Sequence, residues 1–399
     1  PFFRALTAEN VGRYADFFFN KPSELVHSEF LNEHFVEYKK DMVSAKDSTR
    51  NLIFIYVESL ENGLIEYMPE MQQLYVGNQA FSEDSLYKNG SQMLGSMTTI
   101  TAMVSKTIAL PLLCGSSLMN HYEKSGKTLF ADVPGLYDVL HDNGYSNVFV
   151  QGTPSTFGST GLFFREQGID RFYDYSDLAN AIGGQSVSNK LGIPGFFDKD
   201  VFDFSRNVLD TLSKKPFSLT VVTIDTHYPD GFYDDRCEAK PADLSSAEKL
   251  KAVAKCTSKN VYDFVKWVEA QPFASNTEIV IAGDHLFMGD YLVNKLDKSR
   301  RWYDLFINPA SKPQNLRREF TSFDMAPTIL ESLGFEVKNH KMGLGVSLFS
   351  HDSTILEKLG FDLFNSELDD MQKSVEYNEL SYPVLTDEMK EIYNNKIKI

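Results

Sequence analysis

The sequence lacks the excess of basic residues that is typical of proteins that bind duplex nucleic acid. It contains 39 Lys and Arg against 55 Asp and Glu, which gives a formal net charge of -16 at pH 7. Proteins that bind nucleic acid normally carry a basic patch or stripe. We therefore expect no nucleic acid among the partners of this chain.

The sequence also lacks a long hydrophobic run. No uninterrupted apolar stretch approaches the roughly 18–20 residues of a membrane-spanning helix. The chain begins at Pro1 rather than at Met, so we expect it to be a fragment of a longer protein. The missing span therefore says nothing about the parent protein.

Cysteine is scarce, and its spacing excludes two common kinds of site. None of the three cysteines forms a Cys-x-x-Cys pair, so a zinc ribbon and a thioredoxin-type site are excluded. Cys237 and Cys256 lie in one polar stretch, whereas Cys114 lies far from it. In a cytosolic protein Cys237 and Cys256 would be two surface thiols, but in an exported protein they would close a loop of about twenty residues. Composition alone leaves both possibilities open.

What remains is an ordinary globular composition. Hydrophobic residues make up 42% of the 399 residues, aromatic residues 13% and charged residues 24%. These values exclude a disordered, collagen-like or coiled-coil chain. The length allows one large domain with appendages or two smaller domains.

Short apolar segments predict the strands of a buried sheet. They are rich in β-branched and aromatic residues, as buried strands are. The predicted strands are 51–57, 147–150, 217–224, 278–282 and 302–307. Helical stretches alternate with them at 99–110, 132–143, 198–213, 245–269 and 324–334. This alternation predicts an α/β fold with a central, mostly parallel mixed sheet and helices on both faces.

The segments outside this alternation predict three parts. Residues 1–47 are amphipathic and predict a helical segment, which either packs on the domain or lies near a membrane surface. Residues 48–350 would form the α/β domain, and residues 351–399, charged and without strand signals, a C-terminal helical extension. Within the domain, 175–197 and 228–248 are rich in Gly, Ser, Asp and Pro and predict long surface loops.

Residues of the kind that bind metals follow three of the predicted strands. Glu58 follows the first strand, His227 comes shortly after the third, and Asp284 and His285 follow the fourth. Ligands of open α/β sheets bind beyond the carboxyl ends of the strands, so we expect these side chains at one edge. A lone Glu in such a place is more often a helix cap or a solvated turn. The joint pattern of carboxylates and imidazoles instead favours a divalent metal ion.

Residues 95–111 predict a helix with threonines at its start. Gly95 breaks the chain, Thr98 or Thr99 begins the helix, and Pro111 ends it. One interpretation is a capping threonine on a buried helix, and the residues alone favour it. The other is a nucleophilic hydroxyl at the helix N-terminus, where backbone N–H groups favour an anion such as a phosphoryl group. A nearby metal ion would help to deprotonate that hydroxyl.

Taken together, these residues resemble those of the alkaline phosphatase and sulfatase superfamily. The shared order is a strand ending in Glu, Thr at a helix start, His-x-Pro, and Gly-Asp-His. Within the superfamily the chain is most similar to the membrane-anchored phosphoglycerol transferases. These include the lipoteichoic acid synthases and the periplasmic transferase that decorates osmoregulated glucans, which residues 226–232 resemble most. The stretches that carry the resemblance are 51–61, 99–104, 149–152, 222–232, 282–286, 323–330 and 343–345.

The resemblance implies a role for each matching residue. Thr99 matches the catalytic nucleophile, His227 a histidine that contacts the substrate phosphate, and Gln151 a position that lines the glycerol phosphate pocket. The positions that match the metal ligands are Glu58, Thr99, Asp284 and His285. One divalent metal ion is implied, with Mn²⁺ expected and Zn²⁺ and Mg²⁺ as alternatives.

The implied reaction is transfer of glycerol phosphate from phosphatidylglycerol to a polysaccharide or oligosaccharide, through a covalent intermediate on Thr99. The domain would work in the periplasm, held to the inner membrane by a segment absent from this chain. In such an exported protein Cys237 and Cys256 are expected to be bonded, and Cys114 to be a buried free thiol.

Two departures from the family pattern bear on specificity. The lipoteichoic acid synthases place a Trp and an Arg where this chain has Gly158 and Thr160. A missing Arg removes a bidentate phosphate donor, and Arg165 is a possible replacement. The sulfatase pattern that begins with Cys or Ser is also absent, because the stretch beginning at Thr99 reads Thr-Ile-Thr-Ala-Met. Sulfate-ester hydrolysis is therefore disfavoured.

Two alternatives stay open. A phosphoethanolamine transferase would share the same core, although such enzymes tend to contain more disulfides than three cysteines allow. A binding module that keeps the metal fold without turnover is the second. The intact set of Glu58, Thr99, Asp284 and His285 argues against it.

Overall fold

A computed structural model describes most of the chain. The described residues are 27–46, 49–81, 89–113, 129–182, 187–188, 192, 194–237, 244–289 and 300–381. Most of the predicted amphipathic segment 1–47 lies outside these residues, as do Cys114 and the last residues of the predicted C-terminal extension. None of the described helices combines the length and the apolarity of a membrane span.

Strands and helices alternate along the described chain. The strands are β1 (Val43–Ala45), β2 (Asn51–Val57), β3 (Ser146–Gln151), β4 (Arg171–Tyr173), β5 (Val187–Ser188), β6 (Pro194–Gly195), β7 (Phe217–Val222), β8 (Thr277–Gly283), β9 (Asp304–Ile307), β10 (Phe335–Val337), β11 (Lys341–Met342) and β12 (Gly345–Val346). The α-helices are α1 (Glu29–His34), α2 (Asn62–Ile65), α3 (Pro69–Leu74), α4 (Thr99–Ile108), α5 (Leu136–Asp142), α6 (Thr160–Phe164), α7 (Tyr175–Ile182), α8 (Asp198–Leu212), α9 (Ser246–Glu269), α10 (Met325–Ser332), α11 (Ile355–Leu359), α12 (Phe361–Met371) and α13 (Val375–Ser381). Short 3₁₀ helices cover Lys40–Met42, Phe157–Ser159, Ala274–Asn276, Ser322–Asp324 and Lys338–His340.

The central sheet has six strands in the order β4-β3-β7-β2-β8-β9. The strands from β4 to β8 run parallel, and β9 is antiparallel at the edge. The prediction of a mostly parallel mixed sheet is therefore confirmed. In β2, Tyr56 lies opposite Val222 of β7 and Ala282 of β8. The carboxyl ends of β7, β2 and β8 consequently lie side by side.

Strand β2 is buried along its whole length because helices cover both faces of the sheet. Its side chains alternate between two hydrophobic clusters, as the twofold period of a strand requires. Leu52, Phe54 and Tyr56 pack on the face covered by α4, α5 and α10. Ile53 and Ile55 pack on the opposite face, against α8 and α9. The predicted helices on both faces are thus confirmed.

The segments on either side of the sheet domain contribute to the same core. Phe30 of α1 and Phe364 of α12 belong to the cluster that contains α4. The prediction that 1–47 is helical is wrong for 43–45, because Val43–Ala45 form β1 and pair with β10. Backbone pairing with a neighbouring strand outweighs the local helical pattern there. The predicted C-terminal helices are present from Ile355 to Ser381.

Two polar contacts connect the C-terminal helices to the chain on either side of α4. Before α4, the backbone N–H of Leu94 donates to Asn365 Oδ1 at 2.8 Å. After α4, the hydroxyl of Tyr377 donates to the carbonyl of Pro111 at 2.8 Å and accepts from the N–H of Leu113 at 3.0 Å. Residues of α12 and α13 therefore hold both ends of the segment that contains α4.

The prediction of a continuous surface loop over 175–197 is wrong at its start. Tyr175–Ile182 form α7, which buries Leu178, and the short strand β4 precedes it. Asp174 begins this helix, because its Oδ1 accepts from the N–H of Ser176 at 2.9 Å. Its own N–H donates to Asp177 Oδ2 at 3.2 Å. This mutual capping is the signal that the sequence interpretation missed.

Cys237 and Cys256 form a disulfide, with their Cα atoms 5.7 Å apart. The bond joins the loop that follows β7 to helix α9. The expected pairing is therefore confirmed.

Glu278 of β8 is a fully buried carboxyl, and neither of its oxygens has a hydrogen-bond partner among the described residues. Burial raises the pKa of Glu278 from 4.5 to about 8. The folded chain therefore holds a proton that the unfolded chain releases above about pH 4.5. The stability this proton confers is fully present below that pH and is lost as the pH rises through about 8.

Glu278→Gln should remove this pH dependence, because the amide does not titrate. The free energy of unfolding of the wild type should fall relative to the variant by up to about 1.4 kcal/mol per pH unit across this window. Urea unfolding of both proteins at pH 5, 6, 7 and 8 measures the difference. Parallel curves for the two proteins would contradict the assignment.

Candidate active site

The ends of β2 and β8 meet at the edge of the sheet where the sequence predicted a site. Glu58 follows β2, and Asp284 and His285 follow β8. The close approach of the two strand ends requires Gly283, because a Cβ there would lie 1.9 Å from the carbonyl oxygen of Leu60. The Gly-Asp-His stretch therefore places its two polar residues directly against the end of β2.

Glu58, Asp284 and His285 form one buried cluster. Each is 1% exposed, and one potential ligand atom from each lies within 4.8 Å of the others. His285 Nε2 lies 3.4 Å from Glu58 Oε1 and 3.4 Å from Asp284 Oδ2. The structure thus brings together three of the four residues predicted to bind a metal ion.

Hydrogen bonds orient these side chains toward one another. Asp284 Oδ1 accepts from the backbone N–H groups of Ser59 and His285, both at 2.7 Å. Asp284 Oδ2 is buried and accepts no hydrogen bond from the described residues. His285 Nδ1 lies 2.8 Å from the carbonyl oxygen of Leu286, which leaves Nε2 facing the carboxylates. A carboxylate oxygen without a hydrogen bond beside an imidazole nitrogen that faces the carboxylates fits a divalent cation.

The electrostatics of the cluster also favour a cation. Burial raises the pKa of Glu58, and the charge of Asp284 raises it further. Burial alone would lower the pKa of His285, but the charges of Asp284 and Glu58 outweigh it and raise that pKa. Two carboxylates buried together disfavour each other's ionisation unless positive charge accompanies them.

Thr99 is the first residue of α4, and its hydroxyl faces this cluster. Thr99 Oγ1 lies 3.3 Å from Glu58 Oε2 and 3.4 Å from His285 Nε2. The hydroxyls of Thr98 and Thr101 lie 3.0 Å from each other, and the N–H of Thr98 donates to Thr101 Oγ1 at 2.9 Å. Thr98 and Thr101 therefore cap the helix, and Thr99 is the one of the three whose hydroxyl points to the cluster.

His227 lies at the same edge, beyond the end of β7. It is 9% exposed, and its Nδ1 lies 2.7 Å from the carbonyl oxygen of Tyr228. Its ring packs against the edge of Phe157, with centroids 5.7 Å apart. Burial raises the pKa of Glu58, and the nearby His227 acts in the opposite direction. The two side chains are therefore close enough to interact electrostatically.

Gln151 ends β3 and is 2% exposed. Its Nε2 donates to the carbonyls of Thr153 and Pro154 at 3.1 and 3.0 Å, and its Oε1 accepts from Thr160 Oγ1 at 3.0 Å. The side chain therefore folds the loop that follows β3. Thr160 completes this arrangement, and Arg165 lies exposed just after α6.

Two threonines near the end of β7 were missed by the sequence interpretation. The N–H of Glu58 donates to Thr223 Oγ1 at 3.0 Å, and Thr226 Oγ1 donates to the carbonyl of Glu58. The two hydroxyls fix the backbone of Glu58 to the segment that carries His227. Their position at the end of the predicted strand 217–224 and just beyond it was the available signal.

Comparison with known proteins identifies the family to which the chain is similar. The sulfatase family model matches residues 50–335. Phosphoglycerol transferase I of Escherichia fergusonii is 28% identical over 354 residues, which cover 84% of this chain and 44% of that protein. The chain therefore spans less than half the length of the curated relatives it matches.

Solved structures show the same fold. The lipoteichoic acid synthase LtaP from Listeria monocytogenes superposes with a TM-score of 0.62 at 15% identity, over 89% of this chain and 98% of that chain. The Streptococcus pyogenes phosphoglycerol transferase GacH, in complex with sn-glycerol-1-phosphate, gives 0.51 at 16% identity, over 85% and 88%. Because the family model covers most of the chain and the fold agrees, the chain belongs to the sulfatase family of the alkaline phosphatase and sulfatase superfamily.

Proposed function

We propose that this domain is a metal-dependent phosphoglycerol transferase that moves glycerol phosphate from phosphatidylglycerol to a glycan hydroxyl. The observation that carries the proposal is the hydroxyl of Thr99, which lies at a helix N-terminus and 3.3 Å from Glu58 Oε2. The phosphoglycerol transferases among the similar proteins support glycerol phosphate as the transferred group.

Glu58, Thr99, Asp284 and His285 would hold one divalent cation, with Mn²⁺ expected and Zn²⁺ and Mg²⁺ as alternatives. When bound, the cation would offset the charge of the two carboxylates and favour the ionised form of the Thr99 hydroxyl. The orphaned Asp284 Oδ2 and the orientation of His285 by Leu286 support this assignment.

In the first step Thr99 Oγ1 attacks the phosphorus of the lipid phosphodiester. The bond from phosphorus to the diacylglycerol oxygen breaks as the bond to Oγ1 forms. The proton lost by Thr99 is balanced by the proton that the departing diacylglycerol gains. The first turn of α4 offers backbone N–H groups to the phosphoryl oxygens, since a helix leaves its first N–H groups without partners inside the helix.

In the second step a glycan hydroxyl attacks the phosphorus, and the bond from phosphorus to Thr99 Oγ1 breaks as the glycerol phosphate ester of the glycan forms. The proton lost by the glycan hydroxyl is balanced by the proton that Thr99 Oγ1 regains. His227 stabilises or protonates a phosphate oxygen through Nε2, because its Nδ1 is occupied by the carbonyl of Tyr228. The disulfide Cys237–Cys256 supports a periplasmic location, where such bonds form and persist.

The test supplies vesicles in which phosphatidylglycerol and phosphatidylethanolamine carry different head-group labels. With Mn²⁺ present, we expect the glycerol label to be released and a glycerophosphate adduct to appear on the peptide that contains Thr99, as detected by mass spectrometry. Release of the ethanolamine label alone would indicate the phosphoethanolamine transferase instead. If neither these lipids nor a chromogenic phosphodiester is cleaved, whether or not metal is added, the result would indicate the binding module.

A further inference from the structure

Lys106 of α4 is a lysine with 0% exposure in the core of the domain. Lysine is almost never fully buried unless its ammonium is paired, because desolvation of the charge is costly. Lys106 Nζ donates to the backbone carbonyl of Asp284 at 2.9 Å and lies 4.3 Å from the centroid of the Trp302 ring. The lysine therefore reaches the turn that carries two of the proposed metal ligands.

Lys106 and Thr99 share one face of α4. They are seven residues apart, which is about two helical turns. Thr99 Oγ1 lies 3.4 Å from His285 Nε2, and the ammonium of Lys106 contacts the preceding residue of the same turn. Helix α4 thus meets the turn after β8 at two points.

The aromatic ring beneath Lys106 is itself fixed. Trp302 is 1% exposed, and its Nε1 donates to the carbonyl of Ser91 at 3.1 Å. An ammonium over an indole face is attracted by the electrons of the ring. The ammonium of Lys106 therefore contacts both the Trp302 ring and the carbonyl of Asp284.

We infer that Lys106 is a positioning residue that sets the distance between the Asp284–His285 turn and Thr99. The inference rests on the metal assignment proposed above. If Lys106 supports the ligand turn, its removal should weaken metal binding, whereas if it acts only as a nearby positive charge, its removal should strengthen metal binding. Removing a positive charge beside a cation site strengthens cation binding, whereas releasing the support of the ligand turn weakens it.

The experiment measures Mn²⁺ binding by Lys106→Met. Titration calorimetry should show a Kd weaker by about tenfold or more, in the range seen when supporting partners of metal ligands are lost. The visible absorption spectrum of the Co²⁺-loaded protein should also change. The melting temperature of the metal-free protein should stay level or rise, since apolar replacement of a buried charge is often neutral or stabilising.

Ser105→Ala is the matched control on the same helix. Ser105 is also buried, but its hydroxyl donates to Ser322 Oγ at 2.8 Å, away from the Asp284 turn. This variant should lower the melting temperature while leaving the Mn²⁺ Kd and the Co²⁺ spectrum unchanged. The control thereby distinguishes a general destabilisation of α4 from the loss of the specific contact between Lys106 and the Asp284 turn.

Unchanged or tighter Mn²⁺ binding by Lys106→Met would overturn the inference. If Lys106→Met does not fold, Lys106→Gln replaces it, because its polar head on a shorter stem stops short of the carbonyl. Weakened binding by that variant would support the tether, and wild-type affinity would refute it. If the wild type itself binds no Mn²⁺, Zn²⁺ or Mg²⁺, the metal assignment fails and this inference fails with it.

Discussion

Thr99→Ala is expected to abolish both glycerol phosphate transfer and the covalent adduct while leaving the fold intact. Removing a nucleophile commonly lowers turnover by several orders of magnitude, on the order of 10⁴-fold or more. The fold should survive because the Thr99 hydroxyl faces the candidate metal cluster, whereas Thr98 and Thr101 provide the helix cap. Head-group release and the mass of the intact protein after incubation with phosphatidylglycerol measure the two effects.

The neighbouring threonines provide the controls. Thr101→Ala removes the capping bond and should cost about 1 kcal/mol of stability while retaining transfer. Thr99→Ser keeps a hydroxyl and should retain part of the activity. If Thr99→Ala turns over at a near wild-type rate and Thr98→Ala is inactive, the nucleophile is Thr98 rather than Thr99. Activity in both alanine variants would refute the covalent intermediate.

Asp284→Ala and Glu58→Ala are expected to lose the bound metal ion. Asp284 contributes twice, because Oδ1 accepts two backbone N–H groups of the site and Oδ2 faces His285 without another partner. Its removal therefore takes away both a ligand and the support of the turn. Elemental analysis after dialysis should find almost no metal in either variant, and circular dichroism should show an intact fold.

Asp225→Asn is the matched control for the metal ligands. Asp225 is also buried beyond a strand of the same sheet, but it lies outside the group formed by Glu58, Asp284 and His285. Burial raises its pKa, and the amide keeps the shape of the carboxyl group. The control should keep its metal. Full metal content in both alanine variants would remove Glu58 and Asp284 from the ligand set.

The sequence carried enough information to predict where the candidate site lies, because its residues follow strands with clear patterns. Residues 51–57 and 278–282 are buried on both faces, so their apolar runs are continuous and their ends are sharp. The carboxyl ends of parallel strands share one edge, which predicts that Glu58 and Asp284 lie at that edge. Their contact follows from the pairing of β2 with β8, which the structure shows.

The parts that the sequence could not provide depend on contacts between distant segments. The apolar periodicity of α4 gives no indication that Lys106 meets a carbonyl 178 residues later in the chain. The resemblance assigns Gln151 to a substrate pocket, but only the structure reveals its three bonds within the loop. Strand β4 was missed because three residues are too few for a pattern.

The two polar contacts at the ends of the α4 segment have a consequence for the order in which the protein folds during synthesis. Leu94, Pro111 and Leu113 are held by residues 264 to 271 positions further along the chain. A ribosome completes the candidate ligands Glu58, Thr99, Asp284 and His285 before it makes Asn365 and Tyr377. The α4 segment therefore receives its last restraints only when α12 and α13 dock. A nascent chain would carry Glu58, Thr99, Asp284 and His285 while α4 still lacked these contacts at its two ends.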